Sequence, residues 1–122
     1  MANEITVSMS LKFTKGVKTE SFSSSAQTFD MAGTDYVKGT QILTTTPGAA
    51  IDKGNIGTPG WFFAKNNSTT TAEIITITRV TGEGAVVKLE NGEACCLRLG
   101  ATAPFAFSAT GAPELEYLII ED

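Results

Sequence analysis

The chain has 122 residues, 42% hydrophobic and 18% charged, with nine basic and 13 acidic side chains, a formal charge of −4 and no histidine. That is too apolar for a disordered chain, and its length suits a single domain, 1–122, whose core needs no disulfide or metal. Without histidine there is no histidine acid–base chemistry, no Ser-His-Asp or Cys-His nucleophile and no histidine metal site.

The opening residues Met1 to Val7 bring an acid early and alternate apolar with polar positions, unlike a basic, continuously apolar secretory leader. No apolar run approaches the roughly 20 residues of a membrane-spanning helix, so the expectation is a protein made in the cytosol. Ile5, Val7, Met9, Leu11 and Phe13 alternate with Thr6, Ser8, Ser10, Lys12 and Thr14. This period of two predicts a strand with one apolar and one polar face. Lys15-Gly16 offers a turn and Val17 to Phe22 a returning strand. Ser23-Ser24-Ser25 reads as a loop and Gln27 to Met31 as a short strand.

The middle is less regular. Ala32 to Asp35 and Lys38-Gly39 are turn-like, Thr40 to Thr46 is β-prone, Pro47-Gly48 breaks it, and Asp52 to Gly60 is a connection. Gly60 to Asn66, Ala72 to Val80, Ala85 to Leu89, Ala94 to Leu99 and Leu115 to Ile120 then read as strands. Gly82-Glu83-Gly84 predicts a turn. Asn91-Gly92 is a strong hairpin signal, although a two-residue loop would set Glu90 opposite Glu93, so a longer four-residue connection is the alternative. Threonine outnumbers glycine, as suits solvent-facing strand positions. The sum is an all-β chain of about eight to ten short strands, an antiparallel β-sandwich of jelly-roll-like form, with a partly open barrel as the alternative.

Chemistry-bearing patterns are sparse. Cys95 and Cys96 point to opposite faces of a strand and read as small apolar side chains in a reducing compartment. Lys12, Lys15 and Lys18 form the one local basic cluster, and an acidic chain lacks the footprint of a nucleic-acid binder. Asp30, Asp35 and Asp52 do not have calcium-loop spacing and read as turn residues. Glu114 and Glu116 lack any sign of a sugar cleft. The chain has no P-loop, GxGxxG, GxSxG or S-x-x-K pattern, so neither an enzyme nor a cofactor is expected. Trp61, Phe62 and Phe63 allow a sugar-binding platform, but one side of that run is expected to fill the core.

Five stretches together resemble the small β-rich virion structural proteins of tailed bacteriophages, of the capsid decoration type. They are Met1 to Val7, Phe29 to Gly33, Pro59 to Asn67, Val87 to Ala94 and Leu115 to Asp122. The resemblance implies a non-enzymatic protein on the capsid exterior that binds the major capsid protein and copies of itself, as a trimer or other symmetric homo-oligomer. It implies no nucleic-acid or membrane partner and no cofactor. The alternative is a carbohydrate-binding module of a fibre or tail. The residues proposed for the interface are Trp61, Phe62, Tyr117, Leu118, Ile120, Glu121 and Asp122.

The charge is unevenly placed. Residues 1–113 carry equal numbers of basic and acidic side chains, so the whole −4 comes from Glu114, Glu116, Glu121 and Asp122. The last strand is therefore either a core strand with charged ends, the preferred reading because Leu115, Tyr117 and Ile119 share a face, or a docking edge.

Overall fold

The structure is a computed structural model and describes residues 3–44, 49–79, 85–100, 102–108 and 110–122. Every regular element among the described residues is a strand, and every pairing between strands is antiparallel. The expectation of one domain over 1–122 meets a chain that divides into two compact units, 1–32 and 33–122.

The first unit is a long hairpin of β1 (Ile5–Lys15) and β2 (Lys18–Phe29). Gly16, at φ 61°, takes the first central position of the two-residue turn, where an L side chain is strained. The register runs from Lys15 opposite Lys18 to Ile5 opposite Phe29. The three serines expected to form a loop lie inside β2. The register shifts by one residue between Val7 and Met9, so a bulge on β2 absorbs the extra residue and the strand continues. At the open end the Met31 N–H donates to Glu4 at 3.1 Å, and the Asn3 N–H donates to Asp30 at 2.9 Å.

Among the described residues, the second unit holds eight strands. They are β3 (Tyr36–Ile42), β4 (Ala49–Ala50), β5 (Pro59–Asn66), β6 (Ile75–Thr78), β7 (Val87–Leu89), β8 (Ala94–Arg98), β9 (Phe105–Ser108) and β10 (Glu114–Glu121). They form two four-stranded sheets, ordered β3-β10-β5-β8 and β4-β9-β6-β7. The first strand pairs with the last, the second with the seventh, the third with the sixth and the fourth with the fifth in line. The first and third of these pairs join through β10 and β5 into one sheet, the second and fourth through β9 and β6 into the other. Four antiparallel pairs shared alternately between two sheets are a long eight-strand hairpin rolled on itself, which is a jelly roll.

The inner faces follow the strand period. Leu115, Tyr117 and Ile119 of β10 and Phe62 and Ala64 of β5 meet Ile75, Ile77, Leu89 and Ala106 of the second sheet in one core. Leu43, Ile51 and Ile56 close it from the connections. β10 is bonded on both sides, by β3 and β5, so it is a core strand with charged ends and not a docking edge.

Further readings change. Lys38-Gly39, expected to be turn-like, lies inside β3, paired with Leu118 and Tyr117. β6 begins only at Ile75, after a turn at Thr71-Ala72; Val80 and the turn expected at Gly82 to Gly84 lie outside the described residues, as do Thr45 to Gly48. Asn91-Gly92 does turn the chain, with Gly92 at φ 81° and the Glu93 N–H donating to Glu90 at 3.0 Å. Yet β7 and β8 do not pair. They belong to different sheets, and the turn carries the chain from one layer to the other. Asn66 holds the turn: its carbonyl accepts the Gly92 N–H, its N–H donates to Glu93, and its buried side-chain amide donates to the Leu89 and Glu73 carbonyls.

Candidate interaction surface

Directly opposed residues in an antiparallel pair point to the same face, so the register fixes what the outer face of the β3-β10-β5-β8 sheet presents. One row crosses all four strands as Lys38, Leu118, Phe63 and Cys96. On one side of it lie Tyr36 beside Ile120 and Trp61 beside Arg98. On the other side the row is Thr40, Glu116, Lys65 and Ala94. Tyr36 is 67% exposed and Phe63 39%, while Trp61, Leu118 and Ile120 are half-buried. The face therefore has an apolar end and a polar end, the pairing of apolar patch and polar rim that marks contact surfaces.

The seven residues proposed for the interface separate by strand parity and position. Trp61, Leu118 and Ile120 stand on this outer face. Phe62 and Tyr117 point inward and are buried, so their side chains have no surface to offer a partner. Tyr117 instead ties the core to a connection, its hydroxyl donating to the Asp52 carbonyl at 2.9 Å, and burial pushes its pKa up, followed by the nearby Asp52 charge. Tyr36 and Phe63 were not proposed, although the alternation that turned Phe62 inward already turned Phe63 outward with Trp61.

The acidic end of the chain is occupied internally. The Glu121 carboxylate accepts the N–H groups of Gly57 and Thr34, each at 2.9 Å, and of Asp35 at 3.3 Å. Those three bonds, Gly57 first, hold its pKa below the usual carboxylate value. Gly33 lies so close to this carboxylate that a Cβ there would collide with it. Asp122 pairs with Arg98, and the Asn67 side-chain amide donates to both Glu114 and Glu116 at 3.2 Å. Each of the four acids behind the −4 thus has a partner within its own unit.

Cys95 points into the core side of β8 and Cys96 to the outer face; both are free thiols. Desolvation is the largest cause raising both pKa values, which favours the unreactive thiol. Among the described residues, no group of three or more cysteines and acids is gathered as a metal site would require. An apolar cleft of about 240 Å³ opens between the sheets, lined by Phe62, Ile77, Val87, Leu97, Leu99 and Pro104 among others. It offers contact with hydrocarbon rather than acid–base chemistry.

No helix among the described residues is long and apolar enough to cross a membrane. Comparison with protein-family models, with curated proteins and with solved structures gives no match.

Proposed function

We propose that this chain is a structural protein of a tailed-phage virion that decorates the capsid exterior, binding the major capsid protein and copies of itself, without catalysis. The observation that supports it best is the outer sheet face, where Tyr36, Phe63, Leu118 and Ile120 form an apolar end beside a polar one on a hydrogen-bonded four-stranded sheet. Such a face is held rigid by its ladder before any partner arrives, so little ordering entropy opposes docking. Repetition over a symmetric shell turns modest contacts into strong retention, because each additional contact forms at high effective concentration. The jelly roll itself serves both viral shells and lectins, so it supports this reading only in company with the five resembling stretches.

The test is co-sedimentation with the cognate shells and mass spectrometry of purified particles. The protein should be present on particles, and Phe63→Glu should weaken its binding about tenfold or more while leaving the unfolding midpoint of the jelly roll nearly unchanged. Absence from particles, with Trp61 fluorescence quenched by host glycans, would replace the reading with a carbohydrate-binding module.

A further inference from the structure

The β3-β10-β5-β8 sheet ends on an open edge at β3, which pairs with β10 alone. At seven residues β3 is longer than the other edge strands described in the jelly roll, β8, β4 and β7. The Leu43 N–H donates to the Pro113 carbonyl and the Glu121 N–H to the Asp35 carbonyl, both at 3.0 Å. These two pairs continue the β3–β10 register at either end. Bonded pairs alternate along an antiparallel ladder, so Val37, Gly39 and Gln41 direct their backbone groups to β10. Tyr36, Lys38, Thr40 and Ile42 turn theirs to the open edge, and all four residues are exposed. No proline and no bulge interrupts the strand. Tyr36 and Ile42, 67% and 58% exposed, stand at its two ends on the outer face.

We propose that this edge pairs with the same edge of a second copy, antiparallel, about a two-fold axis through Gly39. The contact rests on the copy-to-copy part of the proposed function and not on the shell. Centring on Gly39 engages all four outward residues: Tyr36 opposite the partner's Ile42, and Lys38 opposite the partner's Thr40. These pairs exchange about eight N–H···O bonds. Centring on Lys38 would set two lysines opposite each other, which is repulsive, and leave Ile42 unpaired; centring on Thr40 would leave Tyr36 unpaired. At the axis, the unbonded position where two Cα atoms come closest is glycine against glycine, so no side chain crowds it. Tyr36 then lies between Ile120 of its own β10 and the partner's Ile42, an aromatic and β-branched pairing that stabilises sheets. Lys38, the one charge on the edge, faces the partner's Thr40, with the partner's Glu116 one strand further on. Such an interface is isologous and closes on itself. Opposed residues share a face, so the two outer sheet faces lie side by side and present the Phe63 and Leu118 row twice to one partner surface. One strand on each side is a small contact, so the dimer is weak and concentration-dependent in solution.

Sedimentation of the free full chain, without shells, tests this separately from capsid binding. The wild type should self-associate as its concentration rises. Thr40→Pro removes an N–H that the β10 ladder does not use, so it should weaken association about tenfold while the unfolding midpoint holds. Tyr36→Glu and Ile42→Lys should each weaken association about fivefold, since each contact occurs twice, and the double variant should recover by setting opposite charges across the new ladder. With Cys95→Ser and Cys96→Ser, Gly39→Cys should form a disulfide between copies on mild oxidation. A Cβ at Gly39 has room, its nearest neighbour being the Tyr117 hydroxyl at 3.9 Å. Lys38→Cys in the same background should not, its Cα atoms being about 8–9 Å apart in the dimer. A wild type that stays monomeric at about 1 mM would overturn the proposal. So would association untouched by Thr40→Pro, a double variant no better than either single one, or cross-linking no better at Gly39→Cys than at Lys38→Cys. Shells that bind a monomeric chain would remove this contact and leave the capsid contact standing.

Discussion

β1 and β10 are written in the same alternating pattern and come to opposite ends. In β10, Leu115, Tyr117 and Ile119 are buried, and its outward residues are half-buried between two bonded neighbours. In β1, with the longer and more regular alternation, only Ile5 is buried, and Leu11 and Phe13 face solvent. Period two decides which side chains share a face. Whether that face becomes core depends on a second layer. The jelly roll provides one by rolling its strands over themselves, and the hairpin's two strands do not.

Substitutions that delete the same kind of side chain from each region test this contrast most strongly. Phe62→Ala or Ile119→Ala should destabilise the jelly roll by about 2–5 kcal/mol through lost burial and a cavity. Phe22→Ala should leave the jelly-roll transition within about 0.5 kcal/mol. Denaturant unfolding followed by Trp61 emission would compare them. Equal losses would show that the hairpin is part of the same cooperative core.

Next in size is the polar centre of the jelly roll. Asn66→Ala leaves the buried Leu89 carbonyl and the part-buried Glu73 carbonyl without their amide donor, an expected loss of about 1–3 kcal/mol in the same experiment. Hydrogen exchange at Gly92 should also quicken, since the turn between the layers rests on Asn66.

Glu121 gives a smaller effect whose mark is its pH dependence. Its folded pKa is lowered, so its contribution is complete above the unfolded carboxylate pKa and is lost as pH falls through the folded value. The melting temperature of the wild type should therefore exceed that of Glu121→Gln near neutral pH, and the gap should close in acid. A gap that stays constant with pH would mean that the three N–H bonds do not depend on the charge. Smallest for the jelly roll is Gly16→Ala. At φ 61° the side chain costs about 1–2 kcal/mol, but in the hairpin alone. NMR shifts should change in β1 and β2 while the jelly-roll midpoint stays in place.

The pattern of legibility follows from the same physics. Strands with a clean period, such as β1, β5 and β10, were readable because the face assignment is local. The Gly16 turn was readable because a positive φ selects glycine. β9 was not anticipated: Phe105 to Ser108 is four residues long, too short to establish a period. Asn91-Gly92 was read correctly as a turn and wrongly as a hairpin, because the turn sets only the chain reversal. The neighbours that β7 and β8 take, β6 and β5, are fixed by pairings between residues distant in sequence. The residues proposed for the interface mix both parities: Trp61, Leu118 and Ile120 stand on the outer face, and Phe62 and Tyr117 point inward. A run of aromatic residues or an aliphatic strand shows its parity, and only the completed sandwich shows which parity faces inward.

Pairing the first jelly-roll strand with the last has a mechanical consequence. Tyr36 lies opposite Ile120, so β3 begins where β10 ends. A pull that separates residue 33 from residue 122 meets the β3–β10 ladder at its open end and peels it one rung at a time, instead of loading all rungs together in shear. Glu121 grips Thr34, Asp35 and Gly57 at that end, and the Asp122 N–H is bonded to the Thr58 carbonyl. They act as a rivet at the start of a zip: under tension along the chain, the first resistance comes from this corner, before any core residue is disturbed.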